Sequence, residues 1–479
     1  MKLRDLMNEI EMTSLADLDM CISGISYDSR STRPGDLFVA VRGFESDGHK
    51  YIPMAVQKGA ACILCEEAPT LDVPYILTKN TRRALSVVSA NFFGHPADEM
   101  KIIAVTGTNG KTTTTTLIKK IIEHTTGEKV GLIGTIGNEI GDVFVEAERT
   151  TPESYELQKL FREMANSGCK YVVMEVSSHA LSLDRVYGVT FEVGVFTNLT
   201  QDHLDFHKTM EAYCKAKAIL FTQCRKGVVN MDDEASKVMI EAATCPIFTY
   251  SAEKDEADLC AKEINLRSDG VTFIALTIGE LKKIRMGIPG LFSVYNALAA
   301  AAAAMQLGIG LDSIAETLSE KAGVKGRAEV VPTGRDFTVL IDYSHTPDAL
   351  ENILKTVKGF AKGRTVILFG CGGDRDRTKR PIMGKIAVDL ADFAIITSDN
   401  PRTEEPGAII DDILEGVKGT NTPYVVIENR REAIGWAIEN AEPGDVIILA
   451  GKGHETYQII GREKRHFDER EIVAEFLAK

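Results

Sequence analysis

Residues 101–124 read KIIAVTGTNGKTTTTTLIKKIIEH, and the rest of the chain can be organised outward from them. Lys101 to Thr106 is short, β-branched and apolar, the pattern of a buried strand. Gly107, Thr108, Asn109, Gly110 and Lys111 follow as a loop, and beyond Thr112 the residues Leu117, Ile118, Ile121 and Ile122 share one helical face. A strand, a glycine loop with a lysine and a helix start together form a phosphate cradle. Backbone N–H groups and the helix N-terminus attract an anion, Lys111 adds a point charge, and Thr112 can ligate Mg²⁺. The G-x-x-G-K-T spacing is shorter than the general P-loop pattern, which would place glycine at Val105. An ordinary strand-turn-helix is the alternative; the lysine, the threonine and both glycines together favour the cradle.

At 479 residues the length predicts about three domains, and a hydrophobic content of 44% is ample for sizeable cores. A net charge of −14 argues against general nucleic-acid binding, which needs a basic face. Local lysines and arginines can still hold an anionic small molecule. No apolar signal-peptide core is visible, and the longest strongly apolar run, Ala297 to Met305, is far too short for a membrane span. The nine cysteines are scattered, and Cys62 and Cys65 form a C-x-x-C without a second pair. Reduced thiols, no zinc, no membrane and a cytoplasmic location are therefore expected.

Three units are expected along the chain: residues 1–97, 98–331 and 332–479. In the first, Leu37 to Arg42 reads as a strand and Tyr51 to Lys58 as a helix; Ser29 and Arg30 fit a turn as well as a site. In the second, the strand Tyr171 to Val176 carries Glu175, a buried carboxylate that needs a cation or donors, and beside a P-loop Mg²⁺ is the natural partner. Phe196 to His207 (FTNLTQDHLDFH) places Asp202, His203, Asp205 and His207 within six residues, a pattern of metal or acid–base work, with a structural hydrogen-bond network as the alternative. Met210 to Phe221 reads as a helix, on which Lys217 has no role by composition alone.

The third unit alternates strands (Thr338 to Asp342, Thr365 to Phe369, Phe393 to Thr397, Tyr424 to Ile427, Val446 to Ala450) with helices starting near Pro347, Pro381, Pro406 and Arg430. That alternation predicts a parallel sheet covered by helices, with ligands at the carboxyl ends of its strands. Those ends carry the polar clusters Asp342 to His345, Gly372 to Asp376, Asp399 to Arg402 and Gly451 to Glu455.

GTNGKTT (107–113), MEVSSHAL (174–181), FTNLTQDHLDFH, GRAE (326–329), DYSHTPDAL (342–350), GCGGDRDRTKRP (370–381), DNPRTEEP (399–406) and GKGHE (451–455) resemble the motifs of the Mur ligases, ATP-dependent amide ligases of peptidoglycan precursor synthesis. The resemblance covers all three units. It implies an α/β protein with a sugar-nucleotide-binding first domain, a central P-loop ATPase domain with a parallel sheet, and a Rossmann-like third domain.

It further implies that UDP-N-acetylmuramoyl-L-alanyl-D-glutamate binds through its uridine end near Tyr27, Ser29 and Phe44, Glu45 and Ser46. The peptide end would reach Thr150, Thr151, Ser177 and Arg185. ATP would lie on Gly107, Thr108, Asn109, Gly110, Lys111, Thr112 and Thr113, with Asn296, Arg327 and Asp342 also contributing. Lys217 takes the position of an N6-carboxylysine that would hold one Mg²⁺ with His203, while Thr112 and Glu175 would hold a second. Lys111, Glu175, His203 and Lys217 would carry the catalysis. Arg375, Asp399, Asn400, Pro401, Arg402, Gly451 and Glu455 would read meso-diaminopimelate, whose distal carboxylate a guanidinium grips bidentately. A monomer acting on small molecules is implied. Two residues depart from the family pattern, Ser344 where alanine is usual and Arg149 where some relatives have asparagine. L-Lysine in place of diaminopimelate, or a P-loop NTPase switch, are the alternative readings.

Overall fold

The structure is a computed structural model describing residues 1–43, 46–147, 149–267, 269–320 and 324–478. The expected site residues Phe44 and Glu45 lie outside the described residues. The chain packs as two compact units, one of Met1–Tyr250 with Ala299–Ile309, the other of Ser251–Leu298 with Gly310–Lys479. Among the described residues no helix is long and apolar enough to cross a membrane.

The first unit contains two sheets. In the smaller, the strands run in the order Met12–Ser14, Tyr75–Thr78, Cys62–Cys65, Asp36–Val39, Gly24–Ser26, parallel except for the antiparallel edge strand Met12–Ser14. The larger has six parallel strands in the order Ile247–Ser251, Cys224–Asn230, Phe191–Phe196, Lys101–Thr106, Tyr171–Glu175, Val130–Ile133. The antiparallel strands Asn138–Ile140 and Val143–Val145 extend it.

The strand expected at 101–106 is central in this sheet, and its last five residues are buried, as its apolar run requires. The helix after it spans Lys111–Thr126 and opens with five consecutive threonines after the lysine. Threonine is a weak helix former, by at most roughly 0.7 kcal/mol per residue relative to alanine. Two effects offset this. Thr115 and Thr116 donate their hydroxyls to Thr112 O at 3.0 and 2.8 Å. Leu117, Ile118, Ile121 and Ile122 are also buried, at about 1.5–3 kcal/mol each.

The second unit carries the expected parallel sheet, in the order Glu329–Val331, Thr338–Asp342, Val446–Ala450, Thr365–Phe369, Phe393–Ile396, Tyr424–Val426, with only the first strand antiparallel. Helices Pro347–Lys358, Lys379–Leu390, Pro406–Glu415 and Arg430–Glu439 follow its strands. Thr346 caps the first by accepting from Ala349 N, with proline at the first helical position. The antiparallel strands Leu259–Arg267, Gly270–Thr277 and Glu280–Met286 and the hairpin Tyr457–Ile460 with Glu463–His466 were not expected from sequence. In Leu259–Arg267 the alternation is interrupted by a bulge between Lys262 and Asn265.

Candidate active site

The glycine loop is built against the end of the neighbouring strand Phe191–Phe196. Thr108 N donates to Asn198 O and Asn109 N to Asn198 Oδ1, both at 2.9 Å. Thr197 Oγ1 and Asn198 Nδ2 return hydrogen bonds to Asn109 O at 2.7 and 3.2 Å. Gly107 has φ +151°, and a Cβ there would sit 1.8 Å from Thr197 Oγ1. Any side chain would push the loop off its support. Gly110, at φ +84°, leads into the helix. Lys111 Nζ donates to Gly107 O and Thr108 O at 2.9 and 2.8 Å, which holds the loop curved around its own ammonium.

Behind the loop, Glu175 is 1% exposed. Its Oε1 accepts from Thr112 Oγ1 and Thr135 N, both at 2.9 Å, and its Oε2 accepts from Thr135 Oγ1 at 3.1 Å. The buried carboxylate is thus satisfied by donors, and Thr112 and Glu175 offer hard oxygen atoms side by side. Thr150 Oγ1 lies 3.0 Å from Thr135 Oγ1. Thr151 Oγ1 donates to Glu175 O, Ser177 N donates to Thr151 Oγ1, and Arg185 Nη1 donates to Thr151 O. The expected residues Thr112, Glu175, Thr150, Thr151, Ser177 and Arg185 are therefore one connected network.

Lys217 is 1% exposed on the helix Met210–Ala218, its Nζ 4.4 Å from the centre of the Tyr213 ring. Burial, reinforced by the nearby Lys111 ammonium, holds its amine well below the usual lysine range. His203, in left-handed conformation at φ +53°, lies 3.4 Å from Asp202 and is itself pushed down by burial. The four acid and histidine side chains of Asp202 to His207 do not converge as a ligand set. Among the described residues no three His, Cys, Asp or Glu side chains group around a metal position. The short helix Leu204–His207 turns His207 inward, where its Nε2 meets Ser178 Oγ at 2.9 Å. His179 packs against the His203 and His207 rings, and burial pushes it down to about 4.

Also within the first unit, a cavity of about 520 Å³ is lined by Tyr27, Ser29 and Ser46, with Arg30, Arg82 and Arg149 on its walls. Tyr27 donates to Glu156 Oε2 at 2.9 Å. Glu153 gathers Arg149, Arg185 and Arg82 at 3.1, 2.8 and 3.7 Å.

In the second unit the carboxyl ends of four adjacent parallel strands place the expected clusters along one rim. Asp342 ends the first strand; its Oδ2 accepts from Ala328 N at 2.7 Å, and its Oδ1 from Ser344 N at 2.9 Å. Arg327 stacks on Tyr343 at 5.0 Å. Asn296 belongs to the same unit, on the helix Leu291–Gln306. Asn400 Nδ2 donates to Glu455 Oε2 at 2.9 Å. Gly451, at φ +114°, lets Asp399 close in, since a Cβ there would lie 2.5 Å from Asp399 Oδ2. Arg402 follows Pro401 with φ +52°; its backbone N–H donates to Ile459 O and its Nη1 to Gly373 O at 2.7 Å. Asp399, Asn400, Arg402, Gly451 and Glu455 are thus neighbours. Arg375 is exposed, and its Nη1 donates to Asp374 O at 3.1 Å.

Three family profiles cover most of the chain. Residues 21–109 match "Mur ligase family, catalytic domain", 105–304 "Mur ligase middle domain" and 326–453 "Mur ligase, glutamate ligase domain". The chain belongs to the Mur ligase family. Curated relatives named UDP-N-acetylmuramoyl-L-alanyl-D-glutamate--2,6-diaminopimelate ligase include one from Caldanaerobacter subterraneus, 50% identical over 100% of this chain and 99% of its own. Another, from Clostridium tetani, is 48% identical over the same shares. A solved structure bearing that ligase name aligns with TM-score 0.74 and 33% identity over 100% of this chain and 99% of its own. A structure of MurF from Acinetobacter baumannii, 19% identical over 100% and 99% of the two chains with TM-score 0.63, shares the fold.

In this Mur ligase, sequence reading missed Asn198, Thr135, Tyr213 and Lys452. Asn198 lies inside the motif FTNLTQDHLDFH and Lys452 inside GKGHE, so both were visible as neighbours of chosen residues. Thr135 had no signal, because its bond to Glu175 depends on the loop after a separate strand, Val130–Ile133. Tyr213 had none either: it supports Thr108 from a helix far along the chain, hydroxyl to hydroxyl at 3.1 Å.

Proposed function

We propose that this chain is an ATP-dependent ligase that joins meso-2,6-diaminopimelate to the D-glutamyl side-chain carboxylate of UDP-N-acetylmuramoyl-L-alanyl-D-glutamate, in cytoplasmic peptidoglycan precursor synthesis. The observation that carries this reading is full-length similarity near 50% to ligases of that name. The clustering of Asp399, Asn400, Arg402, Gly451 and Glu455 on one rim supports it from geometry. In this reading residues 1–97, 98–331 and 332–479 are the three functional domains and the enzyme acts as a monomer.

The chemistry is carboxylate activation. The γ-phosphoryl group of ATP passes to the glutamyl carboxylate, giving an acyl phosphate and ADP. The diaminopimelate amine then attacks the acyl carbon, forming the amide and expelling phosphate. The loop Gly107 to Thr113 cradles the ATP phosphates, and Lys111 leaves its loop carbonyls to meet the transferring group. Such preorganised charge is the dominant contribution in phosphoryl transfer. Asn296, Arg327 and Asp342 complete the nucleotide contacts.

The oxygen donors Thr112 and Glu175 fit Mg²⁺, which binds hard oxygen ligands. A second Mg²⁺ fits His203 with Lys217 as the carbamate, and burial pushes the Lys217 amine toward the uncharged form that carbamylation requires. Held by these residues, Mg²⁺ would supply positive charge against the charge developing on the phosphoryl oxygens. The cavity at Tyr27, Ser29 and Ser46 takes the uridine end, with Phe44 and Glu45 assigned to the same contact. Its arginines suit a diphosphate. Thr150, Thr151, Ser177 and Arg185 hold the peptide end. Arg375 and Arg402 face the distal carboxylate of diaminopimelate, and Asp399 and Glu455 its ammonium. Mass analysis of the product formed with ATP, the muramoyl dipeptide and diaminopimelate tests this. A tripeptide product carrying diaminopimelate supports the reading, and ADP formation without any amide product overturns it.

A further inference from the structure

Lys452 lies in the loop after the strand Val446–Ala450 and is 0% exposed, a rare state for a lysine. Its Nζ donates to Asn400 Oδ1 at 3.0 Å and to Glu455 Oε2 at 3.2 Å, and Asp399 Oδ1 lies 3.9 Å away. The Tyr457 and Phe467 rings stand 5.8 and 5.7 Å from the same ammonium. The loop is itself anchored from behind. Arg430, 1% exposed, donates from Nη2 to Ala450 O at 2.9 Å and pairs with the fully buried Glu469 at 2.7 Å.

Two consequences follow from this placement. Asn400 Oδ1 accepts from both Lys452 and Ile459 N, so its amide can present only Nδ2 to Glu455, which fixes the amide orientation. Glu455 Oε2 is then occupied by two donors, leaving Oε1 as the oxygen available to a ligand ammonium. Charge is set as well. Lys452 Nζ stands 3.9 Å from Asp399 Oδ1 and 3.2 Å from Glu455 Oε2, so at this rim two acidic side chains face one buried lysine, a formal excess of one negative charge. That is the complement of an ammonium within a zwitterion whose carboxylate the arginines hold.

We propose that Lys452 is a positioning residue for the amino-acid substrate, acting through Asn400, Glu455 and Asp399 without touching the substrate. This rests on the diaminopimelate reading given above. The test is steady-state phosphate release by the full-length wild type, Lys452→Met, Glu455→Gln and the double variant, with thermal melting of each. Expected for Lys452→Met is a rise of at least tenfold in KM for diaminopimelate, with KM for ATP and for the muramoyl dipeptide within twofold. Because the lysine acts through Glu455, the double variant's KM rise should be at most a third of the product of the two single rises. Multiplicative single effects, or all three KM values rising together with a collapse of the melting transition, overturn the proposal. A wild type that does not respond to diaminopimelate overturns the functional reading and this inference together. A responsive wild type without the KM split overturns the inference alone.

Discussion

Replacing Glu175 with glutamine separates charge from shape. The carboxylate is buried and takes three hydrogen bonds, from Thr112 Oγ1, Thr135 N and Thr135 Oγ1. Glutamine has the same outline. Its Oε1 keeps the first two bonds, and its amide N–H can donate to the Thr135 hydroxyl, which in turn donates to Thr150. Hydrogen bonds to a charged group contribute about 1.5–3 kcal/mol and neutral ones about 0.5–1.5. Weakening these bonds costs roughly 2–3 kcal/mol, and relief of a buried charge offsets part of it, leaving a net loss of about 1–2 kcal/mol. For a domain of this size that lowers Tm by about 2–8 °C. Loss of the charge that supports phosphoryl transfer should cost about 2.7–4 kcal/mol, or 10²–10³ in kcat. Phosphate-release kinetics and differential scanning calorimetry on Glu175→Gln measure both. A kcat within tenfold of wild type would refute the assigned role, and a Tm drop beyond about 15 °C would show that the carboxylate is chiefly structural.

Lys217→Ala should be inactive and partly rescued by added short-chain carboxylic acids, which would supply an anion in place of the proposed carbamate; absence of rescue at any concentration counts against carbamylation. Arg402→Ala should lose far more kcat/KM with diaminopimelate than with L-lysine, and equal losses would contradict a grip on the distal carboxylate. In the second unit, hydrogen bonds from the Arg380 guanidinium at 2.8 and 2.9 Å hold the Glu404 carboxyl down to about 2 from its usual 4.5. A depressed carboxyl stabilises fully above its unfolded value and loses that contribution as pH falls toward its folded value. Urea midpoints should therefore drop between about pH 5 and pH 2 in wild type, and Glu404→Gln should flatten that slope; an unchanged slope refutes the pairing.

The parts of this protein legible in sequence are those encoded locally. The strand 101–106, the Gly107 and Gly110 turns and the apolar face of the helix Lys111–Thr126 sit within one window of periodicity and glycine chemistry. The alternation after residue 338 likewise predicted a parallel sheet with its polar clusters on one rim. What stayed hidden depends on separation along the chain. Lys217 carries no local signal, because its burial beneath Tyr213 and its electrostatic coupling to Lys111 exist only once the helix Met210–Ala218 packs near the cradle. In the Asp202 to His207 segment the local spacing does not fix the geometry, which the left-handed turn at His203 and the contact of His207 Nε2 with Ser178 Oγ set instead.

The proposed reaction is completed by one particular amino acid. Phosphate release by the wild type, with ATP, Mg²⁺ and the muramoyl dipeptide present, should be stimulated strongly by meso-diaminopimelate and only weakly by L-lysine. Equal stimulation by L-lysine, or phosphate release that ignores the amino acid altogether, would contradict it.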